Sequence, residues 1–473
     1  MGETVTANST TVRVLDRVDA GLDASLARLC DWLSIRSISS QPAHDADCDR
    51  AADWLSRQLE TTGFDVSLRK TTGHKLVLAK CTAQTSAAPH ALFYGHYDVQ
   101  PVDPLELWDH DPFAPDVVAR EDGSRVIRGR GASDDKGQVM TFVEACRAWR
   151  EVAGALPISL TLAIEGDEET DSAHLTRFVE ANPSALAADI ALVCDTSMWD
   201  SDTPALSVSL RGMLGVEVIV RAADRDLHSG HYGNAARNPL ALLCQILADL
   251  RDEAGGVTLP GFYDGVSEAT VEQKAVWETL DASALLSDIG LSVPAGEQGR
   301  GVLEQTWARP TAEICGMTGG YTGDGFKTVI PAEARAKVSF RLVGTQDPEA
   351  IEAEFREHVN ARLPADCSAE FISHGGSRAV SLPSDSAYMV AAETALAEEW
   401  GKTPLKIGMG GSIPVVTDFK HILGLDTILA GFALESDNIH SPNEKYDLRS
   451  FHKRIRSWVR ILAALAELEK QRA

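Results

Sequence analysis

Short apolar runs alternate with segments of helical periodicity in the first part of the chain, and this alternation restricts the possible folds. The apolar or alternating runs predict strands at residues 75–79, 91–94, 158–164 and 190–194. Helix-period apolar residues predict helices at residues 14–35, 50–62 and 137–152. Strands that alternate with helices predict an α/β fold, with a mixed sheet flanked by helices. Ligands of such folds bind beyond the carboxyl ends of the strands, and the polar clusters of this sequence follow strands.

The pattern changes between about residues 206 and 379, where strand-like runs and helical runs, including a helix at residues 236–253, predict a smaller α+β unit. A chain of 473 residues also exceeds the size at which one hydrophobic core keeps growing. We therefore predict a discontinuous first domain of residues 1–205 and 380–473, and an inserted domain of residues 206–379. The stretch 255–301 is mixed in composition and its elements are left unassigned.

Composition excludes several kinds of partner. The chain has 44 basic and 69 acidic side chains, a net charge of −25, and no run of Lys or Arg, which argues against nucleic acid as a partner. No stretch approaches the roughly 20 apolar residues of a membrane span. The 8 cysteines are dispersed without a CxxC pair, and the polar N-terminal residues lack the features of a secretory signal. These features predict a cytoplasmic protein with no membrane partner.

A first polar cluster, residues 94–101, follows the strand predicted at 91–94. Residues two apart in extended chain face the same way, so His96 and Asp98 can act together, one as a metal ligand and the other as its orienting carboxylate. Such a pair, taken alone, is also typical of a surface hydrogen bond.

Two further clusters contain adjacent acids. Asp134 and Asp135 lie among glycines just before a predicted helix, where they could enter a cleft or simply cap the helix. The segment Glu165–Ser172 closes the strand at 158–164. Of its paired acids Glu168 and Glu169, one could bind metal while the other takes a proton from water. A solvated acidic surface is the alternative interpretation.

Two more candidate ligands complete the set. Asp195 comes directly after the strand at 190–194, and His440 lies in a polar loop far along the chain. A single loop histidine is usually a surface residue. In combination, however, imidazoles and carboxylates placed mostly after strands are the ingredients of a site for two divalent ions, with Zn²⁺ and Mn²⁺ both suited to these ligands.

These motifs, in this order from Gly95 to Glu444, resemble those of the dinuclear metallopeptidase family M20, which includes cytosolic non-specific dipeptidase, carnosinase and aminoacylases. The resemblance implies that His96 and Asp195 bind one ion and that Glu169 and His440 bind the other. It implies that Asp134 bridges both ions and is followed by a cis peptide bond.

The resemblance assigns two further roles near the ions. It implies that Asp98 orients His96 and that Glu168 is the general base. The implied reaction is hydrolysis of dipeptides by a metal-activated water. An aminoacylase or N-carbamoyl amidohydrolase, acting on N-acyl amino acids, is the alternative within the family. A binding protein that has lost hydrolysis is the alternative outside enzymes, although no ligand or base is missing here.

The inserted domain also carries family-like segments. Residues 226–230 resemble the lid motif whose histidine, here His228, stabilises the oxyanion. In many members this histidine enters the neighbouring subunit's site, which implies a homodimer through the inserted lid and dimerisation domain. Thr328, Arg341 and Ser412 lie in segments that resemble those holding substrate, and Ser412 would face its carboxylate.

One segment departs from the family pattern. The dipeptidase branch commonly has Arg-Glu before the two glycines of the substrate loop, whereas this chain has Gly408 and Met409. Asp rather than Glu at position 195, by contrast, resembles the dipeptidase branch. The departure leaves the substrate preference open and does not affect the metal ligands.

Overall fold

The computed structural model describes residues 2–84, 88–170, 172–287 and 289–470, so Asp171 of the acidic segment lies outside the described residues. The chain divides into two compact units. Unit 1 comprises residues 1–208, 382–407 and 414–473, and unit 2 comprises residues 209–381 and 408–413. Residues 408–413 belong to the first domain in the sequence-based prediction. The structure groups them with unit 2, where the Arg211 side chain donates a hydrogen bond to the carbonyl of Gly410.

Unit 1 contains helices and strands in alternation, as the sequence predicts. Its helices before the unit 2 segment are α1 (Gly2–Leu33), α2 (Asp45–Thr61), α3 (Lys136–Ala153) and α4 (Ala173–Ala181). Three more helices of unit 1 follow that segment and are given below. Its strands before that segment are β1 (Asp65–Arg69), β2 (Leu76–Cys81), β3 (His90–His96), β4 (Asp116–Ala119), β5 (Arg125–Arg128), β6 (Ser159–Glu165), β7 (Ile190–Val193) and β8 (Ala205–Leu210), the last of which ends in unit 2.

Unit 2 and the returning part of unit 1 supply the remaining elements. The strands of unit 2 are β9 (Gly212–Arg221), β10 (Leu227–His228), β11 (Thr311–Gly319), β12 (Val329–Ile330), β13 (Glu333–Leu342), β14 (Ser368–Ser377) and β15 (Val380–Ser381). Its helices are α5 (Ser229–Tyr232), α6 (Pro239–Ala248), α7 (Val271–Glu278), α8 (Ala284–Ser287), α9 (Val302–Trp307) and α10 (Pro348–Asn360). The chain then forms α11 (Ala387–Trp400), β16 (Leu405–Met409), α12 (Pro414–His421), β17 (Thr427–Leu429), β18 (Lys445–Asp447) and α13 (Leu448–Lys470).

The large sheet of unit 1 is mixed, which confirms the predicted fold class. Its strands follow the order β1-β2-β6-β3-β7-β17-β8. Strand β3 runs parallel to both β6 and β7, and β17 runs parallel to β7, whereas β2 pairs antiparallel with β1 and β6. β3 is buried over nearly its whole length, as expected for a central strand covered on both faces.

Helices cover this sheet and bury its apolar side chains. Helices α1, α3, α11 and α13 pack against one another, and α2 packs against β1 and β2. Phe93 of β3 stacks on Phe142 of α3, and Trp458 of α13 meets Phe142 edge-on with ring centroids 5.2 Å apart. All three rings are fully buried, and burying each one stabilises the fold by about 1.5–3 kcal/mol. This core fixes the strands whose ends carry the candidate site.

Unit 2 contains an antiparallel sheet in the order β11-β13-β9-β14, and α6 and α10 pack against it. Alternate residues of β13, from Ala334 to Leu342, are buried. This alternation is typical of a sheet with one face against a core and the other open. Arg341 has the opposite phase to the buried residues of β13 and is only partly buried.

Local features explain where the predicted helices differ from the observed ones. The helix predicted at 236–253 is wrong at both ends, because α6 covers only residues 239–248. Asn238 caps it by accepting a hydrogen bond from the amide of Leu240, and Pro239 occupies the first turn. Residues 255–301, which were left unassigned, include α7, which begins with a capping box between Thr270 and Gln273.

Two further findings concern the whole described chain. None of its described helices is both long and apolar enough to cross a membrane. All 8 cysteines are free thiols, and Cys48, Cys81, Cys146 and Cys194 are buried. Cys244 and Cys315, by contrast, are exposed.

Candidate metal centre

Three neighbouring parallel strands of unit 1 end at the candidate metal centre. His96 is the last residue of β3 and is fully buried. Strands β6 and β7 flank β3, and the residues that follow them include Glu168, Glu169 and Asp195. Because the carboxyl ends of parallel strands lie at one edge of the sheet, residues far apart in sequence meet there.

Asp134 lies between the two histidines of the predicted ligand set. Its Oδ1 is 3.1 Å from Nε2 of His96, and its Oδ2 is 2.8 Å from Nε2 of His440. The peptide bond between Asp134 and Asp135 is cis, as the family resemblance implies. Each oxygen of this one carboxylate therefore faces a different imidazole.

Each histidine also approaches a second carboxylate. His96 Nε2 is 3.9 Å from an oxygen of Asp195, and His440 Nε2 is 3.4 Å from an oxygen of Glu169. The ligand atoms of His96, Asp134 and Asp195 all lie within 4.8 Å of one another, as do those of Asp134, Glu169 and His440. The structure thus brings all five predicted ligands together as two triads that share Asp134.

Asp98 contacts residues of both candidate triads. Its Oδ1 is 3.3 Å from Nδ1 of His96, and its carboxylate accepts hydrogen bonds from the backbone amides of Glu168 and Glu169. Ser39 donates a further hydrogen bond to the same carboxylate at 2.7 Å. Asp98 therefore fixes the ring of His96 and the backbone of the two glutamates at once.

Glu444 is a residue of the site that the sequence analysis did not single out. Its fully buried carboxylate accepts hydrogen bonds from the backbone amides of Gly131, Ser133 and Asp134, and from the guanidinium of Arg130 at 2.8 Å. Its position four residues after His440 is the only sequence feature that pointed to it. Glu444 therefore connects the loop of His440 to the loop of Asp134.

Burial and mutual repulsion dominate the electrostatics of the carboxylates. Burial, and then neighbouring acids including Asp134, raises the pKa values of Glu169 and Asp195. Burial also raises the pKa of Glu168 well above its usual range, and the nearby acids add to this rise. Asp134 behaves differently: burial alone would raise its pKa, but hydrogen bonds from His440 and His96 outweigh burial and lower it.

Hydrogen bonds with these carboxylates raise the pKa values of both histidines. Hydrogen bonding to Asp134 raises the pKa of His440. Burial by itself would lower the pKa of His96, but hydrogen bonds with Asp134 and Asp98 outweigh burial and raise it well above its usual range. The site therefore concentrates more negative charge than its two imidazoles can balance.

This donor set fits divalent cations. Crowded buried carboxylates are costly in their ionised form unless a positive charge neutralises them. Carboxylate oxygens and imidazole nitrogens are ligands of both Zn²⁺ and Mn²⁺. His96, Asp134 and Asp195 could hold one ion, and Asp134, Glu169 and His440 could hold another.

The predicted site residues of unit 2 form two pairs. His228 and Thr328 are neighbours, because β10 pairs with β12 and the amide of Ser229 donates to the carbonyl of Thr328 at 3.1 Å. His228 is exposed, stacks on the ring of His231, and accepts a hydrogen bond at Nδ1 from the amide of Gly230. An Nδ1 that accepts leaves the proton of a neutral imidazole on Nε2.

The second pair consists of Arg341 and Ser412. Nη1 of Arg341 donates a hydrogen bond to Oγ of Ser412 at 3.3 Å, although the two residues lie 71 positions apart. A guanidinium and a hydroxyl held together in this way can both donate to a carboxylate. The structure therefore brings together two residues that the family resemblance assigns to substrate binding.

Comparison with known proteins gives one family. Residues 92–464 match the model of "Peptidase family M20/M25/M40". The chain is similar to Cys-Gly metallodipeptidase dug1 of Schizosaccharomyces pombe, with 28% identity over 96% of this chain and 98% of the relative. It is also similar to Beta-Ala-His dipeptidase of Homo sapiens, with 28% identity over 96% of this chain and 93% of the relative.

A solved structure shows the same likeness. The M20 family metallo-carboxypeptidase Sso-CP2 from Sulfolobus solfataricus superposes with a TM-score of 0.84 and 29% identity, over 94% of this chain and 99% of that chain. The likeness in sequence and in fold therefore spans nearly the whole length of each protein.

Proposed function

We propose, since this chain belongs to peptidase family M20/M25/M40, that it is a metal-dependent hydrolase of dipeptides. The similar proteins of Schizosaccharomyces pombe and Homo sapiens are both named as dipeptidases, and they match over almost their full length. The family match and these names support the reaction, and the geometry of unit 1 supports the residues that carry it.

The main observation that supports the proposal is that Asp134 belongs to both candidate ligand triads. A carboxylate with one oxygen toward each histidine suits a bridge between two ions. We assign His96 and Asp195 to one ion and Glu169 and His440 to the other. Divalent ions held there would lower the pKa of a coordinated water toward neutrality and polarise the scissile carbonyl.

Glu168 is the proposed general base. It follows β6 beside the ligand Glu169, and its backbone amide is held by Asp98. In this mechanism Glu168 takes a proton from the attacking water and returns it to the amine nitrogen as the peptide C–N bond breaks.

His228 is the proposed donor to the oxyanion. Because its Nδ1 accepts from Gly230, the Nε2–H of the neutral ring is available to donate to the negative oxygen of the tetrahedral intermediate. We assign Thr328, Arg341 and Ser412 to substrate binding, with Arg341 and Ser412 donating to a carboxylate.

We extend the proposal to a homodimer formed through unit 2. Strand β11 is at an edge of its sheet, and Ile314 and Met317 on it are 49% and 38% exposed. Cys244, on the neighbouring helix α6, is also exposed and lies 3.9 Å from the sulfur of Met317. An unpaired edge with apolar side chains favours pairing with a second copy. Light scattering of wild type and of Ile314→Lys would test this, with loss of the dimer expected in the variant.

We also propose that the protein is cytoplasmic. This location is supported by the free state of all 8 cysteines, since reduced thiols are typical of a reducing compartment. Reporter fusions or fractionation of cells would test it.

The reaction is tested with purified protein that is stripped by chelator and reloaded with Zn²⁺ or Mn²⁺. A panel of dipeptides and N-acyl amino acids is then assayed for release of free amino acid. We expect hydrolysis of dipeptides that disappears with the metal and returns on reloading. Cleavage of N-acyl amino acids in preference to every dipeptide would contradict the proposal and favour an aminoacylase.

A further inference from the structure

Two arginines of unit 2 hold the turn of residues 410–412. Arg211 lies between β8 and β9, and its Nε donates a hydrogen bond to the carbonyl of Gly410 at 2.8 Å. Its Nη1 donates to the carbonyl of Arg309 at 3.3 Å. Arg341, on β13, donates to Ser412 two residues further along the same turn. One guanidinium therefore holds the backbone of the turn while the other contacts its side chain.

Neither arginine has an acidic partner among the residues that the structure describes. Within the described ranges, no carboxylate oxygen lies within 4.0 Å of Arg211 or Arg341, whereas Arg221, at the other end of β9, pairs with Glu333 and Glu370. Burial, and then the like charge of Arg341, lowers the pKa of Arg211 to about 10. The charge of Glu313 opposes this shift only in part. Two neighbouring cations with no carboxylate in contact raise the free energy of the folded protein, and a bound anion would lower it.

Arg211 also has N–H donors that make no hydrogen bond to the described residues. A guanidinium has five N–H donors, and Nη2 of Arg211 has no hydrogen-bond partner in the described part of the chain. A Cβ placed on Gly410 would lie 3.1 Å from this Nη2. The glycine at 410 therefore lets the backbone of the turn approach the guanidinium closely.

Packing beside Gly408 gives a physical reason for the departure from the family pattern at this position. A Cβ on Gly408 would lie 2.5 Å from the Cβ of Trp307, a distance that side chains do not adopt. Trp307, at the end of α9, thus fills the space that a larger residue at 408 would need. With no arginine possible at 408 in this packing, Arg211 and Arg341 are the cations beside the turn.

We propose that Arg211 fixes the turn 410–412 and, together with Arg341, binds the free carboxylate of the ligand, so that the enzyme selects ligands that carry one. This inference rests on the proposed function and adds to it a specificity residue that no sequence motif singled out. Two guanidinium groups suit a carboxylate because each can donate more than one hydrogen bond to its oxygens. A dipeptide whose C-terminus is an amide offers no such charge.

The test compares a dipeptide with its C-terminal amide. In wild type we expect kcat/KM to favour the acid, chiefly through a lower KM. In Arg211→Met this preference should fall roughly tenfold or more, as expected when a hydrogen bond to a charged group is lost, while kcat/KM for the amide changes little. Arg211→Lys keeps the charge but not both backbone hydrogen bonds, and should keep part of the preference.

Two controls separate recognition from structure. Arg221→Met removes an arginine of the same sheet and should leave the ratio of acid to amide unchanged. In the double variant Arg211→Met with Arg341→Met, the losses should not add, because both residues serve one carboxylate. An equal loss for acid and amide in both Arg211 variants would show a merely structural role and overturn the inference.

A binding measurement keeps this test independent of turnover. Calorimetry with an uncleavable reduced-amide dipeptide and its C-terminal amide should show tighter binding of the acid by wild type, and loss of that difference in Arg211→Met. An unchanged difference in the variant overturns the inference even where hydrolysis is intact. Absence of metal-dependent hydrolysis of every dipeptide by wild type would instead contradict the proposed function alone.

Discussion

Glu444 holds the backbone of Asp134 through a hydrogen bond from the Asp134 amide to its Oε1, at 3.1 Å, although 310 positions separate the two residues. The same carboxylate accepts from Gly131 and Ser133 and pairs with Arg130. Since Asp134 is the acid shared by both candidate triads, its position depends on a residue outside both of them.

Glu444→Gln should therefore weaken metal binding without removing a ligand. The amide cannot pair with Arg130 as a carboxylate does and offers only one oxygen to the three backbone donors. We expect metal affinity to fall about 10- to 100-fold, as is typical when a residue that orients a ligand is replaced. Because a buried ion pair is broken, stability should fall by about 3–5 kcal/mol.

Chelator competition and thermal unfolding measure these two effects. Glu435→Gln, which changes an exposed glutamate close by, serves as the control and should change neither quantity. Wild-type affinity in Glu444→Gln would refute this account of the loop.

Part of the candidate metal site could be predicted from sequence because its information is local. His96, Glu169 and Asp195 each lie at or shortly after the end of a strand that its apolar residues identify, and parallel strands bring such positions together. Glu444 and Arg211 could not be predicted in this way. Each depends on a partner brought close only by the fold, such as Arg130, 314 positions from Glu444, or Gly410, 199 positions from Arg211.

The ends of helices could not be predicted from local sequence for the same reason. Apolar periodicity predicted a helix over 236–253, but Pro239 and the cap from Asn238 set its start three residues later. The space beside Gly408 depends on Trp307, which lies outside every motif. Packing of this kind has no local pattern in the sequence.

Asp134→Asn should reduce the binding of both ions, because Asp134 belongs to both triads. His440→Ala and Asp195→Asn should each reduce the binding of one ion chiefly, since each belongs to a single triad. The loss of affinity should exceed the roughly 10- to 100-fold typical of residues that only orient a ligand. Equilibrium dialysis followed by elemental analysis gives the number of ions bound per chain. If all three variants show the same stoichiometry, Asp134 is not the bridge.

Glu168→Gln should abolish most turnover while the metal content stays close to that of wild type. The side chain keeps its size but cannot accept the proton of the attacking water. We expect kcat to fall roughly 10²- to 10⁴-fold, the range for loss of a general base. Glu180→Gln, on the exposed face of α4, is the matched control. Substantial activity in Glu168→Gln would assign the base to another residue.

The pair of His74 and Asp167 predicts a pH dependence of stability. Nδ1 of His74 is 2.6 Å from Oδ1 of Asp167. Hydrogen bonds with Asp167, and then with Cys48, raise the pKa of His74 from 6.5 to about 11. Because the folded-state pKa is the higher one, protonated His74 stabilises the fold fully below pH 6.5, and this stabilisation is lost as the pH rises toward 11.

The stability difference between wild type and His74→Gln should therefore be largest in mild acid and should shrink steadily from pH 7 to pH 9. Chemical denaturation of the metal-loaded protein at several pH values measures it. His421→Gln, at an exposed histidine, provides the reference curve. A difference that is constant with pH would mean that His74 is neutral in the folded protein.

His228 and His231 allow a matched test of the oxyanion donor. Their rings stack with centroids 4.5 Å apart, but only His228 is held by a hydrogen bond from Gly230 that leaves Nε2–H free to donate. His228→Ala should lower kcat about 10²- to 10³-fold with little change in metal content, as is typical when one oxyanion donor is removed. His231→Ala should change kcat far less, and His228→Gln, which keeps an N–H donor, should recover part of the rate. An equal loss of kcat in the two alanine variants would contradict this role. It would show that the two stacked rings only maintain local structure, because a donor to the oxyanion should be lost in His228→Ala alone.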